Sequence, residues 1–129
     1  MVVHTATEVL LIKRVDHDSF WQSVTGSLEW GELPREAATR ELTEETGIIN
    51  AQIRDTGIRR SYEILDEWKP RYHPDVTRNQ ESLFYCELSQ RCDITLDPKE
   101  HSEFQWLPFS LAKDVAFSWS NRLAIENLI

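Results

Sequence analysis

Apolar positions along the chain repeat with two periods, and the switches between them mark out the elements. Val9 to Ile12 form a continuous apolar run inside Glu8–Arg14, the signature of a strand buried on both faces, and residues 1–5 read as the stub of another strand just before it. Phe20 to Val24 make a third short strand, after which Thr25-Gly26-Ser27 and Trp30-Gly31-Glu32 mark a loop. The period then becomes helical. Pro34 suits a first helical position, Ala37, Ala38 and Leu42 continue the apolar stripe, and Gly47 supplies a left-handed stop, so the helix spans Pro34 to Thr46.

Ile48 to Ile53 and Gly57 to Ile64 read as strands, and Asp66 to Arg78, with Pro70 and Pro74, as a long loop of the kind that often carries function. Glu81 to Leu88 has the composition of a central strand, and Glu103 to Leu107 alternates as a half-buried strand does. Ser120 is placed to cap a closing helix through Leu128. Strands, helix, strands, helix predict an α/β (α+β) fold, a mixed sheet with helices packed against it. With 129 residues and no linker or repeat, residues 1–129 make a single domain.

Charge narrows the function. The chain carries 22 acidic against 14 basic residues, a formal −8, which argues against nucleic acid as a partner because such binders neutralise phosphates with clustered Lys and Arg. The longest apolar run is far too short for a membrane span, and the N-terminus shows no basic-then-apolar leader, so no membrane is expected and the cytoplasm is the default location. Cys86 and Cys92 are too few for a zinc site; Cys86, inside an apolar strand, reads as a reduced core thiol.

On a helical wheel Glu41 and Glu45 fall within the inward stripe flanked by Ala37, Ala38 and Leu42, with Glu44 beside them, whereas Arg35, Glu36, Thr39 and Thr43 take the solvent side. Carboxylates at i, i+3 and i+4 lie about 5–6 Å apart at Cβ and repel, so a cation is needed among them. Hard oxygen ligands suit Mg²⁺ or Mn²⁺, with positions left for water and substrate phosphate. Arg40 and Glu32 are placed to orient the glutamates. A Glu-rich helix taken alone is most often a solvated face. The surrounding spacing rejects that reading: from Gly26 the chain runs G-x5-E-x7-R-E-L-x-E-E-x-G-I. Seven fixed residues at ~6% usage each match by chance with a probability on the order of 10⁻⁹ per start.

This segment, with Gly26, Glu32, Arg40, Glu41, Glu44, Glu45 and Gly47 in place, resembles the Nudix box without a mismatch. The resemblance implies an α/β/α sandwich in which the catalytic helix follows a loop, hydrolysis of a phosphoric anhydride in a nucleoside-diphosphate-linked molecule, and metal ligation by Glu41, Glu44 and Glu45. Glu44, or Glu100 from a later loop, would accept the proton of the attacking water.

Outside the box, residues 20–27, Arg71-Tyr72, residues 76–79, Glu81-Ser82 and residues 118–122 resemble a Nudix subfamily that releases pyrophosphate from dihydroneopterin triphosphate in folate biosynthesis and also acts on dATP and other nucleoside triphosphates. The likeness implies that Arg14, Thr25 and Ser118 contact substrate and that Glu100 is a further metal ligand. Tyr62, Glu63, Ile64 and Leu65 fall where the subfamily has another substrate-contacting segment, though these residues match it poorly. The chain also departs at its start, where the family has a longer first strand preceded by a basic residue. Core packing is expected for Trp21 and Trp119 in preference to stacking on substrate. His4, His17, His73 and His101 show no metal-ligand spacing and read as surface or satisfied loop residues. Two rival functions are a broad nucleotide-cleansing pyrophosphatase and a non-catalytic nucleotide-binding domain; the intact box and the lack of a second domain to regulate weigh against the latter.

Overall fold

The computed structural model describes residues 1–63 and 78–129, and the side chains of residues 61–80 lie outside that description. Its strands are β1 (Val2–His4), β2 (Glu8–Arg14), β3 (Trp21–Gln22), β4 (Ile53–Glu63), β5 (Arg78–Glu87) and β6 (His101–Pro108). The helices are α1 (Pro34–Thr46), α2 (Phe109–Val115) and α3 (Trp119–Glu126).

The sheet runs β3-β2-β1-β5-β4, with β6 also paired to β2. It is mixed: β1 lies parallel to β5, with Val3 opposite Cys86, while the other strand pairs are antiparallel. Period-2 alternation explains why β2 is apolar without a break. Val9 and Leu11 point to one face, where they pack with Val2, Leu83 and Tyr85 against Ala112 of α2, Ala116 just after it, and Ala124 and Ile125 of α3. Leu10 and Ile12 point to the other, where they meet Val3, Val24, Cys86 and Leu42 of α1. A sheet covered on both faces is the α/β/α sandwich expected. Leu42 is fully buried and anchors α1; its truncation to Ala would cost about 2–5 kcal/mol.

The α1 boundaries agree with the sequence. Glu36 Oε1 accepts the Leu33 N–H at 3.0 Å at the start, and Gly47, at φ 77°, donates its N–H to Thr43 O at 2.9 Å at the end. Other elements differ. Ile48 to Ile53 is no strand: Ile48 turns into the core beneath α1, and Asn50 takes a left-handed φ of 58°, which breaks extension. The segment beginning at Gly57 instead belongs to one long strand, β4, whose register shifts between Asp55 and Arg59, where Gly57 has φ 77°. The third strand is only Trp21–Gln22, and β6 is largely exposed at Glu103, Phe104 and Gln105.

The closing helix is capped by Ser118, whose hydroxyl accepts the Asn121 N–H at 3.2 Å; Ser120 lies inside it. The α2 helix was not foreseen, having no side-chain cap to announce it. Cys86 is a buried free thiol, as expected. The predicted loop from Asp66 falls almost entirely outside the described residues.

Candidate metal and phosphate site

One helix face and two chain crossings build the site. Along α1, Glu45 is buried at 3% exposure, Glu41 is half-buried and Glu44 is exposed, so the three acids form a ramp from core to solvent. The loop after β3 runs directly over them. Thr25 donates its backbone N–H to Glu45 Oε2 at 3.1 Å, and Gly26 leaves room for the Glu41 carboxylate. Arg40 ties this loop to the helix. Its Nε and Nη2 grip both oxygens of Glu32 at 2.8 Å each, Nη2 also donates to Ser27 O at 2.9 Å, and Nη1 reaches Glu41 Oε1 at 2.7 Å and Glu44 Oε2 at 3.2 Å. The guanidinium holds Glu32 down at a pKa of about 2, and Arg40 itself is raised. Arg40 therefore orients two of the three acids.

A turn brings in the second contribution. Asp97 O accepts the N–H groups of Glu100 and His101 at 3.0 and 2.9 Å, and Glu100 O accepts the Val15 N–H at 3.0 Å, fixing the entry to β6 against the end of β2. Ligating atoms of Glu45, Glu100 and His101 lie within 4.8 Å of one another. His101 is 2% exposed; its Nε2 lies 3.8 Å from Glu45 Oε1 and 3.1 Å from Gln22 Nε2, and its Nδ1 is buried without a partner. Burial, then Arg14, lower its pKa, so the ring is neutral and the 3.8 Å approach is not an ion pair.

The electrostatics of this cluster fit a divalent cation. Burial first, then the Glu41 charge, push Glu45 up to about 8, and Glu41 is raised by burial with Glu44 and Glu100 adding to the effect. Carboxylates crowded in this way into a partly buried pocket lack positive charge, which a divalent ion supplies. The carboxylate oxygens are hard donors of the kind that a divalent cation such as Mg²⁺ or Mn²⁺ takes.

The remaining expected residues fall into place unevenly. Thr25 lies against Glu45, whereas Ser118 serves as the N-cap of α3, in the connection from α2. Arg14, at the end of β2, is half-buried, pairs with Asp16 at 2.8 and 2.6 Å and lies 5.6 Å over the Phe20 ring. Ile64 and Leu65, and the side chains of Tyr62 and Glu63, lie outside the described residues, as does His73. Trp21 packs partly into the core, but Trp119 does not; it is 60% exposed because α3 enters the fold through Ala124 and Ile125 instead. His4 is likewise no surface residue, being buried in β1 with Nδ1 2.8 Å from Thr5 O. His101 was the functional candidate that spacing missed. Its sequence signal was its place directly after Glu100, at the inward end of an alternating strand.

These features fit a divalent-cation site, and the comparisons give the family: the NUDIX domain matches residues 1–128, so the chain belongs to the Nudix family and is a Nudix pyrophosphohydrolase. Among its relatives, the dihydroneopterin triphosphate diphosphatase of Escherichia coli (strain K12) is 41% identical over 125 residues, covering 94% of this chain and 82% of that protein. The Haemophilus influenzae protein of the same name is 31% identical over 135 residues, covering 100% of this chain and 84% of its own length. The solved structure of the E. coli dihydroneopterin triphosphate pyrophosphohydrolase superposes with a TM-score of 0.89 at 38% identity, covering 98% of this chain and 90% of that one. A NUDIX hydrolase structure from Listeria monocytogenes shares the fold at a TM-score of 0.81 and 24% identity, covering 98% and 87%. Nudix hydrolases generally need a divalent metal and act on small molecules. Among the described residues no helix is long and apolar enough to cross a membrane.

Proposed function

We propose that this chain hydrolyses dihydroneopterin triphosphate to dihydroneopterin monophosphate and pyrophosphate with Mg²⁺, Mn²⁺ serving as a substitute, and that dATP and other nucleoside triphosphates are secondary substrates. The reaction would place it in folate biosynthesis. The observation that carries this reading is the grouping of Glu45 and Glu100 with His101, with the Glu41 charge acting on Glu45 and the Arg40–Glu32 clamp beside them on α1.

Glu41, Glu44, Glu45 and Glu100 would hold the metal. A divalent ion bound there neutralises charge on phosphate oxygens and makes water more acidic. The chain supplies position and proton transfer. Thr25 N–H fixes one Glu45 oxygen, leaving the other turned toward Glu100 and His101. Glu100, exposed and without the guanidinium contact that engages Glu44, accepts the proton of the attacking water. Arg40 keeps Glu41 and Glu44 in one arrangement through the reaction, so little reorganisation accompanies charge build-up.

The test compares kcat/KM for dihydroneopterin triphosphate, dATP and GTP under Mg²⁺. A preference for the pterin supports the assignment. Equal rates would make the enzyme a general nucleotide pyrophosphatase, and no turnover of any would leave a binding domain.

A further inference from the structure

Away from the carboxylates, two side chains have no role in the site so far described. Arg60 of β4 has its Cζ 5.7 Å from the Trp119 ring centroid, and its Nη1 is buried with no hydrogen-bond partner; among the described residues no carboxylate pairs with it. A desolvated guanidinium N–H without an acceptor is costly, and such groups are rare in folded chains. Trp119 is 60% exposed, a large aromatic surface left in water beside a cation. Neither residue is explained by the fold. Among the described residues Arg60 ties down no helix end or loop, and the core holds α3 through Ala124 and Ile125.

Their position joins them to the metal site. Asn121 accepts the Ser23 N–H at 2.9 Å and donates to Ser23 Oγ at 2.9 Å, fixing the start of α3 on β3. Ser120 Oγ donates to Glu81 Oε2 at 3.0 Å, and Glu81 is the cross-strand neighbour of Arg60. From Ser23 the chain needs two residues, roughly 7 Å at most, to reach Thr25, which is bonded to Glu45. The start of α3 and the Glu45 end of the metal cluster are thus held by one short stretch of chain, Ser23 to Thr25.

We propose that Arg60 and Trp119 form the ring-recognition subsite, with the indole stacking on a bicyclic heterocycle and the guanidinium donating to its oxo edge. The inference rests on the pyrophosphohydrolase reading above and names the part of substrate the metal cluster does not touch. Arg presents two parallel N–H donors, which match the paired oxygen and nitrogen acceptors of a pterin or a guanine. Adenine sets an amino donor where those rings have oxygen, so the same fork meets a like donor. Stacking is indifferent to that difference, because every such ring has a π face. Arg60 is thus the discriminating residue and Trp119 the general one.

The full chain and its Arg60→Met, Arg60→Lys and Trp119→Ala variants test this by two readouts. Turnover with Mg²⁺ is followed for dihydroneopterin triphosphate, dGTP and dATP; separately, NMR titration gives the affinity for neopterin and for adenosine, which carry no phosphate. Arg60→Met should lower kcat/KM for the two oxo rings roughly ten- to hundredfold, through KM, and leave dATP within about threefold. Arg60→Lys should restore only part of it, and Trp119→Ala should weaken all three substrates alike. Neopterin affinity should fall in both Arg60→Met and Trp119→Ala, adenosine affinity in Trp119→Ala alone. Equal losses across all rings in Arg60→Met, or unchanged neopterin affinity in both variants, would overturn the subsite while leaving hydrolysis intact. Absence of turnover in the parent chain would instead defeat the functional reading, and the neopterin titration would still decide the subsite.

Discussion

The Glu41 carboxylate rests against the bare backbone of Gly26: a Cβ added there would lie 2.1 Å from Glu41 Cδ and 2.4 Å from Oε1. The glycine of the box is therefore a matter of space for a ligand side chain. Gly26→Ala must displace Glu41, and misplacing a reacting group by an ångström can cost about a hundredfold in rate. We expect a fall in kcat of that order with a melting temperature within a few degrees of the parent, because the loop is exposed. Unchanged kinetics would show that Glu41 can move without consequence.

Glu45→Gln should abolish most turnover while keeping the fold, since it removes charge from the site with little change in shape. Its effect on stability has a defined sign. The folded-state pKa of Glu45 is raised from 4.5 to about 8, so between those values the folded chain holds a proton that the unfolded chain has lost. Without metal, the parent loses stability as pH rises through that window, on the order of a few kcal/mol. Denaturant melts in chelator at pH 5 and pH 8.5 should show the loss in the parent and a much flatter profile in Glu45→Gln. Added Mg²⁺ should stabilise the parent most at the alkaline end, because binding needs the ionised carboxylate.

Arg40→Lys keeps the charge and loses the fork. A lysine ammonium cannot grip both Glu32 oxygens while also reaching Glu41, Glu44 and Ser27. The expected result is a tenfold or greater loss in kcat, roughly, with weaker Mg²⁺ binding by calorimetry. Normal metal affinity and rate in this variant would reduce Arg40 to a surface ion pair.

His101→Ala opens a cavity beside Glu45 and removes the only imidazole in the cluster among the described residues. Stability should drop by about 1–3 kcal/mol, as for a typical buried truncation. If the imidazole also holds Glu45 in place, Mg²⁺ affinity should fall in His101→Ala and recover partly in His101→Gln; calorimetry would separate this from simple loss of packing, which Gln would not restore selectively.

How much of this was legible beforehand follows from how local each signal was. The α1 helix was read to its end residues because Pro34 and Gly47 punctuate it, and the acids on its inward stripe were found because a 3.6 period is visible within one turn and a half. Residues 48–53 misled because their apolar composition suits a strand, whereas Ile48 is buried beneath a helix and Asn50 is left-handed. A large aromatic side chain predicts core packing over stacking for Trp119; only the docking of α3 through smaller residues leaves it outside. His101 and Arg60 were beyond reach of spacing, since a neighbour 56 positions away on α1 and another 59 positions away on α3, counted as 101 − 45 and 119 − 60, give each its meaning.

The most direct test of the central claim is to follow products by ³¹P NMR while Mg²⁺ is titrated into the parent chain and Glu45→Gln with dihydroneopterin triphosphate. Pyrophosphate and dihydroneopterin monophosphate should appear together, only when the cation is present, with the variant inactive at the same Mg²⁺ and still folded. Pyrophosphate release that persists in chelator, or a Glu45→Gln variant as active as the parent, would contradict it.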